Sequence, residues 1–382
     1  MSLPRAILVM LLGATGLPAG ADAPRSAGCE PERVAELIER QRVAAFAQCL
    51  DARALAAAAL DGLALDDRER KAFADGVAAV KRRVADNFMR QLESQLGRAR
   101  LLPRRDGASP DTFVVRLDLI DPDGEPGGFN YIAFARTAEG RIGDWYSHAH
   151  AASASDVMRQ FAATTIREPG ALARLLGRQR FDRETAARFT QFAEHLRESR
   201  HAEALEALRG LPEGFQASRL GATLLVQVAS NLDEDSYRDA LDRLARSHGD
   251  APELQFLLVD HHFFREDYDR AIEAVGTFES LVAEDGATNL LRCNALLMAE
   301  RHPEARAACE RSIALEPDFE PPRWSLATIG IKTRDARLTL DTLSGLETAF
   351  DYAFDPDVLL ENEHYAWLAD RPEFKAWADA RR

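Results

Sequence analysis

The side chains of this chain that suggest chemistry stand at spacings that give it little support. Histidine is the usual carrier of metal binding and proton transfer near neutral pH. His148 and His150 alternate at the end of an expected strand, and His261 and His262 are adjacent on an expected helix. Neither pair has the i, i+4 spacing that turns two imidazoles toward one zinc ion, so both read as structural or surface histidines. Asp118 and Asp144 fall on strands expected to share a sheet, where two carboxylates side by side would suit acid–base work. Polar alternation along half-buried strands accounts for them equally. The acidic stretch Asp121-Pro122-Asp123-Gly124 has neither the later ligands nor the length of a calcium loop and reads as a hairpin turn. The chain has no Gly-x-Ser-x-Gly, no phosphate loop and no dinucleotide fingerprint. No catalytic residue, metal or cofactor is assigned, and the expectation is a protein that is not an enzyme. A hydrolase or isomerase using Asp144 is the enzymatic alternative.

The cysteines carry the remaining chemistry. They form two local pairs, Cys29 with Cys49 and Cys293 with Cys309. An even count paired locally suggests structural disulfides in an oxidising compartment; in a reducing one the same residues would be buried thiols. The N-terminus favours the oxidising case. Arg5, the apolar run from Ala6 to Leu12, and Ala19-Gly20-Ala21 have the order of a secretory signal cleaved after Ala21, with Ala23 as second choice. Ser26-Ala27-Gly28 before Cys29 lacks the aliphatic residue of a lipoprotein box. No later stretch is long and apolar enough for a membrane helix. The expectation is therefore an exported protein, periplasmic or secreted, soluble after cleavage.

The chain is long enough, at 382 residues, for two or three domains, and its 46% hydrophobic content supports a folded core. Residues 22–167 carry 21 basic against 22 acidic side chains, whereas residues 168–382 carry 26 against 40. Nucleic acid and anionic membrane surfaces are repelled by that second half, which leaves basic or apolar protein partners.

Apolar periodicity locates the elements. Residues 30–60 read as helical, and Phe73, Val77, Val80, Val84, Phe88 and Leu92 mark one stripe of a helix expected from Asp66 to about Ala99. The period then drops to two, giving strands Thr112–Ile120, Phe129–Thr137 and Arg141–Ser147 in a meander, followed by a helix from Asp156 to Ile166. Glu168-Pro169-Gly170 marks a break, Ala171–Gly177 a short helix, and the chain is helical from about Phe181 to its end. The organisation expected is a signal peptide over 1–21, an α+β domain over 22–167 with helices on a small antiparallel sheet, and an all-α solenoid over 168–382.

Within the helical half, Ala271 and Ala305 lie 34 residues apart and their flanks align, from Pro252-Glu253-Leu254 through Asp267-Tyr268 in one copy and from Asn289 through Pro303-Glu304 in the next. Ile313-Ala314-Leu315-Glu316-Pro317 closes the second copy, and Ala204 and Ala240 extend the register backwards. This pattern resembles the tetratricopeptide repeat, with Trp367–Trp377 as an amphipathic end cap. The resemblance implies a groove for a protein or peptide lined by Phe256, Asp260 and Phe263 and by their counterparts Leu290, Asn294 and Leu297. Helical periodicity alone places Phe256 and Phe263 equally well in the core between repeats. The basic carboxylate clamp of chaperone-binding members is not matched. Helices before a meander, with Gly143-Asp144-Trp145-Tyr146 on a late strand, resemble the NTF2-like (cystatin-like) fold and, more loosely, MlaC-type periplasmic lipid carriers. That resemblance implies an apolar pocket in residues 30–167. Two functions are thus expected: an adaptor of the bacterial envelope acting through its repeats or, alternatively, a carrier of a lipid or other apolar ligand in its N-terminal domain.

Overall fold

The structure is a computed structural model and describes residues 28–63, 65–93, 96–105, 107–120, 126–165 and 183–381. The expected signal peptide, the acidic turn Asp121–Glu125, the break at Glu168-Pro169-Gly170 and the short helix Ala171–Gly177 lie outside the described residues. The chain divides into two compact units, Met1–Leu257 and Leu258–Arg382, so the first helical hairpins belong to the same unit as the sheet.

The first unit opens with helices α1 (Pro31–Glu39), α2 (Val43–Cys49), α3 (Ala52–Ala59) and α4 (Asp67–Glu93). A five-stranded antiparallel sheet follows in sequential order: β1 (Leu96–Leu101), β2 (Thr112–Ile120), β3 (Pro126–Arg136), β4 (Ile142–Ser147) and β5 (Ala152–Ser153). Three of these strands match the expected meander. β1 does not: the periodic stripe suggested helix to Ala99, but α4 stops at Glu93 and Leu96–Leu101 pairs with β2. The pairing slips between Leu96 and Arg98, and the position of Gly97 leaves only 3.1 Å between a Cβ there and the Ile120 side chain. Such a bulge with a small residue brings the edge strand in after a helical stripe has ended.

One sheet face meets the helices through aromatic rings. Phe46 of α2 stacks on Phe88 of α4 at 5.2 Å, Phe88 meets Trp145 edge-on at 5.3 Å, and Phe113 stacks on Phe134 at 5.1 Å. Offset and edge-to-face contacts of this kind add to the burial of the rings themselves. Cys29 is bonded to Cys49, with Cα atoms 5.5 Å apart, which fixes the chain entering α1 to the end of α2. The α2–α3 junction then lies along the β4 edge: Asp51 N donates to Ile142 O at 2.7 Å, and Arg141 donates to the carbonyls of Gln48 and Leu50. Those bonds cover the first part of β4, which the two-residue β5 leaves unpaired.

The unit continues through α5 (Ala154–Thr165), α6 (Arg183–Arg197), α7 (His201–Arg209), α8 (Glu213–Gln216), α9 (Arg219–Ala229) and α10 (Glu234–His248), then a 3₁₀ turn Pro252–Leu254. Helix α9 is buried from Gly221 to Ala229, all round, as its near-continuous apolar sequence requires. Helix α11 (Gln255–Phe264) starts in this unit.

The second unit contains the rest of α11, then α12 (Tyr268–Val282), α13 (Gly286–Met298), α14 (His302–Leu315), α15 (Pro321–Thr333), α16 (Ala336–Phe350), α17 (Pro356–Glu361) and α18 (Pro372–Asp379). They form helical hairpins. The alanines of the expected repeat register, Ala204, Ala240, Ala271 and Ala305, are all buried in second helices, where a methyl group allows close crossing. Cys293 and Cys309, both fully buried, are bonded between α13 and α14 with Cα atoms 5.3 Å apart. Helices α15 and α16 cross more tightly still: a Cβ on Gly330 would lie 2.5 Å from Thr339 Oγ1. The turn between the helices of each hairpin has a fixed form. Glu266, Glu300 and Arg334, at 34-residue intervals, have φ of 55°, 58° and 54°. The next residue's N–H closes back on the first helix, from Asp267 to His262 O, Arg301 to Leu296 O and Asp335 to Gly330 O, each at 2.9 Å. Aromatic packing closes the end of the unit, with Trp377, Phe374 and Leu368 buried against Leu343 and Leu346.

Candidate functional site

The residues suited to acid–base work are not brought together. In the sheet register Asp118 sits opposite Phe129 and Asp144 opposite Ala135, six positions apart along β3, which separates them by roughly 20 Å. Each is engaged locally. Asp118 accepts Nε and Nη2 of the fully buried Arg116 at 2.6 and 3.2 Å, a two-residue step that keeps both side chains on one face. Asp144 accepts Trp145 N at 2.8 Å, Ser155 N at 3.1 Å and Ser155 Oγ at 2.5 Å, so it caps the start of α5. Burial raises its carboxyl above the usual range, against the pull of the Ser155 and Trp145 bonds.

The turn after β4 carries His148 and His150. Ser147 Oγ lies 2.7 Å from His150 Nδ1, but it also accepts Asn130 Nδ2 at 3.1 Å and His150 N at 3.3 Å. A hydroxyl holding a turn in this way is a structural bridge rather than a free nucleophile. Burial pushes both imidazoles down to about 4. On α11 the rings of His261 and His262 lie 5.1 Å apart at 66°, side by side instead of converging. Among the described residues no group of three or more His, Cys, Asp or Glu is placed to hold a metal ion. Among them, too, no helix is long and apolar enough to cross a membrane.

The residues expected to line a groove take up several environments. Phe256 is buried, its ring 5.4 Å from Tyr131 and 6.5 Å from Phe129, on the face of β3 opposite the Phe134 cluster. Phe263 packs on Val259, Ala274 and Val275 and stands 5.9 Å from Tyr268. Leu290 and Leu297 are buried, Leu297 in the core around the Cys293–Cys309 bridge, while Asn294 is half-buried and accepts Ser325 Oγ at 2.7 Å. Asp260 is half-buried on α11. Periodicity identifies these positions as the inward side of the first helices, but it does not separate a groove from a core.

A concave surface does exist elsewhere in the second unit. A cleft of about 600 Å³ opens between α14, α15 and α16, with Ile313, Leu326 and Leu338 among its lining. Both signs of charge border it. Arg306 pairs with Glu310 at 2.8 Å and approaches Asp335 at 3.8 Å, and Arg337 lies 3.7 Å from Asp341. Arg323 is fixed by the carbonyls of Pro317 and Phe319 and lies over the Phe350 ring at 5.0 Å; burial lowers its guanidinium below the usual range. Its lining comes mostly from the second helices α14 and α16 and the turn at Asp335, and the α15 residues Arg323 and Leu326 fall outside the 34-residue register of the expected groove positions, so no sequence pattern marks this cleft.

No family model and no curated protein matches the chain. Solved structures that resemble it include MamA from Desulfovibrio magneticus RS-1, from residue 41 onward, at 12% identity and a TM-score of 0.37, covering 44% of this chain and 95% of that one. PilW, described as a widely conserved type IV pilus biogenesis factor, is 13% identical with a TM-score of 0.37, covering 53% and 93%. The TPR2AB domain of yeast Sti1, in its complex with pHSP90, is 16% identical with a TM-score of 0.25, covering 51% and 85%.

Proposed function

We propose that this chain is a non-enzymatic scaffold that binds a partner protein on its helical hairpins. The reading rests on one observation, the cleft between α14, α15 and α16, where Ile313, Leu326 and Leu338 stand among paired charges. Such a lining suits a peptide or helix that presents apolar side chains flanked by charges of both signs. The repeated turn at 34-residue intervals supports reading the hairpins as TPR-like, an architecture whose extended concave surfaces bind other proteins. Export to the bacterial envelope is part of the same proposal, supported by two bonded cysteine pairs. The sheet and its helices, NTF2-like in element order, would be a second interaction module. The carrier alternative is weaker, because Phe46, Phe88, Phe134 and Trp145 fill the helix-covered face where a ligand would lie.

The test is site-specific cross-linking in the native cell. A photo-reactive residue in place of Arg337, on the cleft, should give one discrete adduct that is lost on Leu326→Glu. The same probe in place of the exposed Val358 should not. Equal adducts from both positions, or none from position 337, would overturn the assignment.

A further inference from the structure

The turn that follows β4 is tied to the helices of the first unit by a set of polar groups. Tyr146 Oη donates to Glu253 O at 3.3 Å and lies 3.5 Å from Arg219 Nη2, and Arg219 forms an ion pair with the Glu253 carboxylate. His148 is buried with its ring edge-on to Tyr146 at 5.0 Å, and it hydrogen-bonds the Glu253 backbone. Gln227, a polar residue within the otherwise apolar middle of α9, donates to the carbonyl of His150. The apolar part of this attachment includes Phe256 against Phe129 and Tyr131. The opposite sheet face differs completely: its core against α1 to α5 is made of apolar side chains, among them Phe46, Phe88, Phe134 and Trp145.

We propose that this turn is an acid-released latch. Protonation of His148 and His150 undocks the segment Ser147–Ser153 from α9 and from the 252–254 turn, while the sheet stays folded on its apolar face. The physical basis is the cost of placing an imidazolium where a neutral ring fits, at the buried His148 and the half-buried His150, whose Nδ1 already shares the engaged Ser147 hydroxyl. The charged groups around the latch are Arg219 and Glu253 from the helices, and Asp144 on β4 with Asp156 on α5. Glu253 favours the imidazolium of His148 but is already paired with Arg219, and burial outweighs it.

The direction of the pH effect follows. A histidine held near 4 when docked, against 6.5 when free, contributes its full docking stability above pH 6.5 and loses it as pH falls from 6.5 to 4. Asp144 acts the other way. Its carboxyl is raised in the folded state, so acid favours its buried form and the seat of α5 is kept. At pH 5 each histidine should shift the open-to-docked ratio by roughly 20-fold relative to neutral pH.

Hydrogen exchange of the full chain between pH 7.5 and 4.5, corrected for intrinsic rates, tests the latch. Amides in 146–153, 219–229 and 252–257 should lose at least 10-fold in protection by pH 5, while 113–119 and 132–136 keep theirs. The double variant His148→Gln/His150→Gln should abolish that pH dependence. Should it not fold, the imidazole proton resonances of the unaltered protein serve instead, and both must titrate with midpoints below 5.5. Protection in the latch segments that persists to pH 4.5, or that falls together with 113–119, would overturn the proposal.

Discussion

Asp144 spans two elements through a single carboxylate, and its replacement separates its roles. Asp144→Ala removes the acceptor for Ser155 N, Ser155 Oγ and Trp145 N together and should cost about 1–2 kcal/mol. Asp144→Asn keeps an acceptor for the backbone donors and removes the buried charge. Because the folded carboxyl titrates above its usual value, its stabilising share is present in acid and lost as pH rises through that value. The Asn variant should therefore compare better with the parent at pH 7 than at pH 3.5, as read from urea midpoints. At this scale the sequence was informative about residue type and silent about partners. Alternation assigns Asp118 and Asp144 to the strand face opposite the Phe134 cluster, but it carries no sign that helices cover that face too. Their separation depends on the register along β3, which side-chain pattern alone leaves free to slide in steps of two.

Among the elements, the bridge between α13 and α14 is the most measurable. It closes a loop of 16 residues, and replacing Cys293 and Cys309 with alanine should cost about 3 kcal/mol, read as a shifted denaturation midpoint. Both sulfur positions are fully buried, so reductant should act on the native hairpin only at the rate of local opening. The hairpin turns offer a second test. Glu300 has φ 58°, a conformation that costs an L-residue about 1 kcal/mol, so Glu300→Gly should be neutral to stabilising by up to about 1 kcal/mol. Glu300→Val should destabilise, since a β-branched residue is worse there. These turns also show why the repeat was only partly legible. Ala271 and Ala305 betray the period because close crossing demands a small side chain. The turn positions hold Glu266, Glu300 and Arg334 instead of glycine, so this feature, though it recurs at constant spacing, bears no residue signature. β1 was hidden for a related reason: its alternation is short and follows directly on a helical stripe.

For the whole molecule, charge and compactness divide the chain differently. The acidic excess lies in residues 168–382, whereas the compact units divide between Leu257 and Leu258. The sheet takes its second layer from helices far along the chain: Arg219, Gln227 and Glu253 all reach the β4–β5 turn. Contacts of that sequence separation have no local signal, whereas the expected boundary follows the local break at Glu168-Pro169-Gly170. The two cystines add a property that belongs to the chain as a polymer. Pulled by its ends, the protein cannot pay out the 20 residues between Cys29 and Cys49 or the 16 between Cys293 and Cys309. In a single-molecule stretching trace its fully extended length should fall roughly 115 Å short of the reduced chain's, at about 3.5 Å per residue less the two bridge spans. Each bridge is then a mechanical stop, and a motor or membrane pore drawing the chain through must either accept a closed loop or wait for its reduction.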